Sequence, residues 1–382
     1  MFKKIKKISI IGSTGSIGSQ GLEVVRNNPE MKVETLAAKS NIKELEKQIR
    51  EFKPKKVCVF EEDKALELKH KVKDLDVGVL YGMDGLIECA CDNDSEYLLS
   101  AVVGMIGILP TLWAIKSQKK IALANKETLV CAGHIIMPLA KEKNVPILPV
   151  DSEHSAIFQS LNGERENKIK KIILTCSGGP FRGYSLKDLE KVTVGDALKH
   201  PNWNMGKKIT VDSATLVNKG LEVMEASWLF DTCYKDIEVM IHPESVIHSA
   251  VQFEDNAVIA QMGVPDMKLP IQYALTYPKR LPMKENELDL FELGSLTFEK
   301  PDIKVFKGLG LAFYAMEKGG NVPAVYNAAN EIAVGKFLDG KIGFLDIPDM
   351  IEKCIEKMPF IANPSVDDIL GVMEEAKEYI GK

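Results

Sequence analysis

Asp151 and Glu153, with Ser152 between them, are two acids whose types and spacing could do chemistry. They follow the apolar run 145–150, at what reads as the carboxyl end of a strand. Two carboxylates turned toward one point repel each other, and a cation relieves that repulsion. Oxygen donors with open positions suit Mg²⁺ or Mn²⁺ better than zinc. A helix cap is the other reading, since Asp151 or Ser152 can open the helix expected over 154–161, and both roles can hold together. A second cluster runs from Asp212 to Glu222. Asn218 and Glu222 stand four apart and share a helical face, with Lys219 and Ser213 nearby, a set of donors and acids that suits an anion beside a metal. Upstream, the segment from Thr175 through Ser177 to Phe181 has the Gly-rich, hydroxyl-bearing make-up of a phosphate nest. The segment from His200 to Gly206 has low periodicity and an isolated Trp203, and reads as an active-site lid; Trp203 as a core anchor is the alternative.

A third set binds rather than reacts. Gly12-Ser13-Thr14-Gly15-Ser16-Ile17-Gly18 follows a strand pattern and opens a helical one. Glycines there let the backbone approach a pyrophosphate, and the helix N-terminus supplies N–H donors. The spacing is G-x-x-G-x-x-G, a variant of the dinucleotide fingerprint. At the end of the second strand, where an NAD site places an acid, the chain has Ala37-Ala38-Lys39-Ser40-Asn41. A cation and neutral donors there favour NADPH over NADH.

These residues need a frame. Over 1–150, strand patterns at 7–11, 33–38, 56–60, 77–80, 98–103, 121–124 and 145–150 alternate with helical ones such as 42–52 and 109–118, which predicts an α/β fold with a Rossmann-type parallel sheet. Over 151–277, strands near 169–175, 238–241, 246–253 and 257–261 and helices near 154–161 and 217–229 predict a central α+β catalytic domain carrying metal site, substrate site and lid. Residues 278–304 read as a linker. Residues 305–382 show helical periods only, a C-terminal α-helical domain.

Taken together, GSTGSIG at 12–18, ALANKE at 122–127, DSEHSA at 151–156, SGGPFR at 177–182, HPNWNMG at 200–206, DSATLVNKGLE at 212–222, HPESVIHS at 242–249 and GVPDMKLPI at 263–271 resemble the 1-deoxy-D-xylulose-5-phosphate reductoisomerase family over nearly the whole chain. The resemblance implies a metal site of Asp151, Glu153 and Glu222, with Mg²⁺ or Mn²⁺ bound and Co²⁺ as a further occupant. It implies substrate contacts from Lys126, Ser152, Glu153, Ser177, His200, Ser213, Asn218, Lys219 and Glu222, with Lys126 beside the reacting carbonyl. NADPH contacts would be Thr14, Gly15, Ser16, Ile17, Lys39, Ser40, Asn125, Glu127 and Gly206. Trp203 and Met205 would lie on the lid, and Pro265 and Met267 near the ligands. The implied reaction breaks and remakes a C–C bond and reduces the resulting aldehyde with NADPH, giving 2-C-methyl-D-erythritol 4-phosphate for isoprenoid synthesis. The implied assembly is a homodimer with a C-terminal helical bundle. Cys176 stands where Gly or Ala is expected, and Ala38-Lys39-Ser40 where Gly-Lys-Asn is common.

The resemblance implies a small phosphorylated, sugar-like substrate, and composition argues against nucleic acid and membrane partners. The chain has 382 residues, a net charge of −5 and a pI near 5.8, so no global positive field gathers nucleic acid. No run approaches membrane-spanning length. Lys3, Lys4, Lys6 and Lys7 beside the short run 8–11 read as solvated charges rather than a signal peptide. Seven scattered cysteines without a CxxC pair read as reduced thiols of a cytoplasmic protein. A plain NADPH reductase would need a Tyr-x-x-x-Lys pair, met only by Tyr314 and Lys318 in the helical tail. A non-catalytic NADP sensor would keep 12–18 and need no acids. His242 and His248 read as core or dimer-interface residues, not metal ligands.

Overall fold

Ile8, Ile10 and Ile11 are wholly buried in β1 (Lys6–Ile11), because this strand runs through the middle of a parallel sheet and has no wet face. The computed structural model describes residues 5–164, 166–203, 205–284 and 287–380. Lys3 and Lys4 of the lysine cluster, Asn204 of the expected lid and the last two residues of the expected helical domain lie outside them.

β1 is joined by β2 (Met31–Ala38), β3 (Lys56–Val59), β4 (Gly78–Tyr81), β5 (Tyr97–Ser100), β6 (Lys120–Leu123) and β7 (Ile147–Pro149) in the order β4-β3-β2-β1-β5-β6-β7. All neighbours are parallel. The chain lays strands to one side of β1 and then returns to β5 on the other. Between β1 and β5 the order reverses, and ligands of such sheets bind there, beyond the carboxyl ends of the strands. The seven expected strands all form, although β5 stops at Ser100 where the expectation ran to 103.

The chain divides into two compact units. The first is Met1–Thr128, Ile136–Ser155 and Asp266–Lys284. The last of these segments departs from the boundary expected at 277/278. Its helix Lys268–Thr276 packs on the helix Ser16–Asn27, and Asn28 Nδ2 donates to Gln272 Oε1 at 3.0 Å. Ile271 and Leu275 on it are wholly buried. Burying such a face gains about 2 kcal/mol per large aliphatic side chain, and periodicity cannot say which sheet supplies the cover.

The second unit is Leu129–Ile135, Ala156–Pro265 and Glu285–Lys382. Its sheet holds β8 (Ile169–Cys176), β9 (Ile237–Ile241), β10 (Ile247–Phe253) and β11 (Val258–Met262) in the order β11-β10-β8-β9. Only β8 and β9 pair in parallel. The helices Lys307–Lys318, Val322–Leu338, Asp346–Lys357 and Val366–Ile380 fall within this unit. Val217–Leu229 packs on Lys307–Lys318 at Gly220, where a Cβ would lie 2.5 Å from Ala312 Cβ. Fully buried Tyr326 donates its hydroxyl to Gly308 O at 2.9 Å. The expected linker 278–304 is divided too. Its end forms a two-bond bridge to β9, with Ile241 N to Glu299 O and Glu299 N to Ile241 O both 2.9 Å. No described helix is long and apolar enough to cross a membrane.

Candidate active site

At the end of β1 the chain must turn sharply, and Gly12 does so at φ +81°. A Cβ there would sit 2.4 Å from Ala101 O, just past β5. Gly12 and Ser13 both donate backbone N–H to Ala37 O, at 2.9 and 2.8 Å. Ser13 Oγ donates to Gln48 Oε1 at 2.8 Å, and Gln48 Nε2 donates back to Ser13 O at 3.0 Å. At Gly18 a Cβ would meet Gly12 O at 2.2 Å, so the helix Ser16–Asn27 can start only this close to the strand without a side chain. Gly15 caps that helix without a side-chain acceptor, which leaves its first N–H groups for an anion. Thr14 and Ile17 are half-buried, Gly15 and Ser16 exposed.

Beyond β2, Lys39 is exposed and pairs with no carboxylate among the described residues, while Ser40 is half-buried. Asn41 caps the helix Ile42–Phe52, accepting from Glu44 N at 3.2 Å, so part of its polar capacity is taken. The segment after β2 itself carries no acid, and its cation and neutral donors fit NADPH. Asn125 and Glu127 are turned inward. Asn125 Nδ2 lies 3.1 Å from Val102 O, 3.0 Å from Gly104 O and 2.8 Å from Glu127 Oε2. Their side chains shape the 102–107 loop after β5.

Asp151 follows β7 and caps the helix Ser152–Ser160, its Oδ1 accepting from Glu153 N at 3.1 Å and His154 N at 3.3 Å. Its other oxygen lies 3.2 Å from Lys126 Nζ, and Lys126 is 7% exposed at the start of the helix Glu127–Glu142. Ser152 Oγ donates to Glu153 Oε2 at 2.5 Å. Asp151 thus takes the expected cap role at this helix start. Both carboxylates stay half-buried, and that of Asp151 lies beside the Lys126 ammonium.

In the second unit, Glu222 and Lys219 are 1% and 3% exposed on the helix Val217–Leu229 and form an ion pair. Asn218 Nδ2 donates to the other Glu222 oxygen at 2.5 Å. The shared face expected from their spacing is there. The loop after β8 turns through Gly178 at φ +85° and Gly179 at φ +68°. A Cβ on Gly179 would lie 3.0 Å from Ser213 O, which puts the nest against the end of the helix Lys207–Ala214. Ser177 Oγ lies 3.1 Å from His200 Nε2 and accepts from Gly179 N at 3.1 Å. His200 Nδ1 accepts from Asn202 N at 3.2 Å and Trp203 N at 3.0 Å. Burial pushes the His200 pKa down to about 4, so the ring is neutral at pH 7. Trp203 is half-buried with its ring 6.1 Å from that of His248, and Met205 is half-buried. Exposed Gly206 caps Lys207–Ala214. Pro265 and Met267 are half-buried. A cavity of about 650 Å³ is lined by Ser177, Gly179, Arg182, Lys191, Lys199 and Pro201 among others.

His242 is a structural residue. It is fully buried, its Nε2 accepts from Val246 N at 3.3 Å and Ile247 N at 3.2 Å, and Nδ1 therefore donates to Thr297 O at 3.0 Å. Tyr314 and Lys318 form a cation–π contact at 5.3 Å on an exposed helix face. Asp212, which opens the second cluster, is buried, and its partners were not read from the sequence. It is 1% exposed, accepts from Asn330 Nδ2 at 2.8 Å and pairs with Lys208 Nζ at 2.8 Å. The i, i+4 spacing of Lys208 and Asp212 was the available signal; nothing local announces Asn330.

Family models match the chain in three consecutive stretches. Residues 8–133 match 1-deoxy-D-xylulose 5-phosphate reductoisomerase, 147–230 its C-terminal domain, and 262–379 the DXP reductoisomerase C-terminal domain. The 1-deoxy-D-xylulose 5-phosphate reductoisomerase of Lachnoclostridium phytofermentans is 60% identical over 377 residues, covering 98% of this chain and 97% of the relative. That of Agathobacter rectalis is 59% identical over 378 residues, covering 99% and 100%. The Zymomonas mobilis enzyme solved with NADPH superposes with a TM-score of 0.92 at 39% identity, covering 98% of each chain. A DOX-P reductoisomerase solved with NADPH, fosmidomycin and magnesium gives 0.93 at 39%, covering 98% and 97%.

Proposed function

The chain belongs to the 1-deoxy-D-xylulose 5-phosphate reductoisomerase family, and from that premise we infer that it rearranges and reduces 1-deoxy-D-xylulose 5-phosphate to 2-C-methyl-D-erythritol 4-phosphate with NADPH and a divalent metal. It is an NADP-dependent oxidoreductase of isoprenoid precursor synthesis. The full-length match to relatives at 60% and 59% identity carries this reading.

We assign the cation to Asp151, Glu153 and Glu222. All three offer carboxylate oxygen, a donor set that suits Mg²⁺ or Mn²⁺ and admits Co²⁺. When bound, the cation supplies Lewis acidity at adjacent substrate oxygens and NADPH supplies a hydride. Lys126, held by Asp151, keeps a fixed positive charge for a developing oxyanion. Ser152 orients Glu153, and Asn218 orients Glu222. Ser177, His200, Ser213, Asn218 and Lys219 form the phosphate pole. Thr14, Gly15, Ser16, Ile17, Lys39 and Ser40 take the cofactor's phosphates, while Asn125, Glu127 and Gly206 shape its surroundings. Trp203 and Met205 exclude water as the lid closes.

The protein works as a homodimer in the cytoplasm. The edge strand β11, with Val258 52% and Ile259 38% exposed, offers an unpaired ladder to a second copy. Seven scattered cysteines without a CxxC pair fit a reducing compartment. The deciding assay is NADPH oxidation in the presence of 1-deoxy-D-xylulose 5-phosphate. Turnover that needs added Mg²⁺ or Mn²⁺ and stops with chelator supports the assignment; metal-independent turnover refutes it.

A further inference from the structure

We propose that Lys32 is a site of acylation by acyl phosphates, set in a lysine pocket at the amino ends of the parallel strands. There Glu34 takes a proton from the amine, and Lys7 and Lys55 hold the leaving phosphate. The pocket belongs to the first unit, and the Gly12 turn lies at the opposite, carboxyl end of β1, so the inference does not rest on the function proposed above. β2 bulges here: Ile8 pairs with Val33 and Ser9 with Thr35, which leaves Glu34 without a partner on β1. A bulge re-aims the residue it frees. The Glu34 side chain is 0% exposed, and neither carboxylate oxygen accepts a hydrogen bond among the described residues. Three ammoniums surround it instead. Lys32 Nζ lies 3.2 Å and Lys7 Nζ 3.6 Å from Oε1, and Lys55 Nζ lies 3.6 Å from Oε2. Buried acids are normally hydrogen-bonded; this one keeps its lone pairs open beside an amine that is 45% exposed.

The three lysines are not equivalent. Lys7 also reaches Asp94 at 3.9 Å, and Lys55 donates a hydrogen bond to it. That bond raises the Lys55 pKa. Lys32 has Glu34 alone among the described residues. A carboxylate beside an amine favours the ammonium, but one carboxylate shared by three divides that protection, and the neighbouring cations oppose it. Lys32 is therefore the amine freed most readily. Three cations against Glu34 and Asp94 also leave a local positive surplus that draws a dianion. In the step, the freed amine attacks the acyl carbon, the bond from that carbon to the phosphate oxygen breaks, and phosphate leaves with the electron pair. The ammonium loses two protons in all, one through Glu34 to solvent and one to the phosphate. The products are an amide and inorganic phosphate, with nothing oxidised or reduced, and Lys32 has lost its charge.

The test is incubation of the full-length protein with acetyl phosphate, with acetylation at each lysine followed over time by peptide mass spectrometry. Lys32 is expected to react roughly tenfold or more faster than exposed Lys187 and Lys353, within what a positioned base and held leaving group give. A rate at Lys32 no higher than theirs overturns the proposal. p-Nitrophenyl acetate, a neutral acetyl donor, brings no phosphate and should show a smaller preference for Lys32; an equal preference overturns the phosphate pocket. Lys7→Gln should slow acetylation of Lys32 by acetyl phosphate and not by the ester, and an unchanged rate with acetyl phosphate overturns the role of Lys7. Glu34→Gln should slow Lys32 with both reagents. An unchanged or faster rate, in a variant whose circular dichroism matches wild type, overturns Glu34 as the proton acceptor; where that variant does not fold, the Lys7→Gln comparison decides.

Discussion

Glu222 and Lys219 are a buried carboxylate and a buried ammonium side by side. Such a pair returns little net stability, but losing either partner strands the other at a cost of about 3–5 kcal/mol. Retaining it in a helix that could have packed aliphatics there is consistent with a ligand needing the charges. Glu222→Gln keeps the shape and removes one charge. Turnover should fall at least about a thousandfold, the several kcal/mol expected of a metal's charge stabilisation. NADPH affinity by fluorescence titration should stay within about threefold, since no cofactor contact is assigned to this helix. Substantial activity in Glu222→Gln would remove it from the metal site. At the cofactor end, Lys39→Asp replaces the exposed cation with an acid and should shrink the NADPH-over-NADH ratio of kcat/KM by roughly tenfold or more; an unchanged ratio strikes Lys39 from the 2′-phosphate site. The shared face of Asn218 and Glu222 and the place of Lys39 just past β2 were legible in the sequence, because each depends on spacing within one segment. Asn125 shows the limit: its motif was visible, but its side chain is turned onto the 102–107 loop, and only the course of the chain 20-odd residues earlier decides that.

At the scale of the element, β1 and the helix after it depend on a backbone approach that no side chain survives. Gly12→Ala combines a positive φ, costing about 1–2 kcal/mol, with a Cβ 2.4 Å from Ala101 O, which must push β1 and the loop after β5 apart. The expected outcome is a lowered melting temperature and at least tenfold weaker NADPH binding, read by calorimetry and titration. Full affinity in Gly12→Ala would mean that this turn does not hold the pyrophosphate. The inner parallel strands were readable from their apolar runs, because a strand buried on both faces cannot be wetted anywhere, whereas the edge strand β4 is partly exposed. The helices Lys268–Thr276 and Lys207–Ala214 were not read. The first carries Pro270 within its first turn, and the second mixes Lys, Thr, Asp and Ser, so their periods are blurred and their burial is decided by distant partners.

On the scale of the whole chain, sequence order and spatial order part company. Asp266–Lys284 returns to the first unit and Leu129–Ile135 counts with the second, so boundaries drawn at single positions could not describe either. The seven-stranded sheet was legible from strand–helix alternation alone, but long-range packing leaves no local trace. Assembly poses the same difficulty, yet β11 offers a handle. As an edge strand it shows an open row of backbone donors and acceptors, and Val258 and Ile259 are exposed on its opposite faces with no charge to discourage pairing. An edge that long and apolar invites another strand, and a second copy of the same strand is always at hand. Light scattering should therefore give a mass near twice 42.3 kDa. Ile259→Lys places a charge where the strands would meet and should shift the mass toward one chain. Because Ile259 is 38% exposed and remote from the first unit's sheet in chain order, NADPH binding should survive the change. A wild-type monomer, or an Ile259→Lys variant that stays dimeric at micromolar concentration, would show that β11 does not carry the interface.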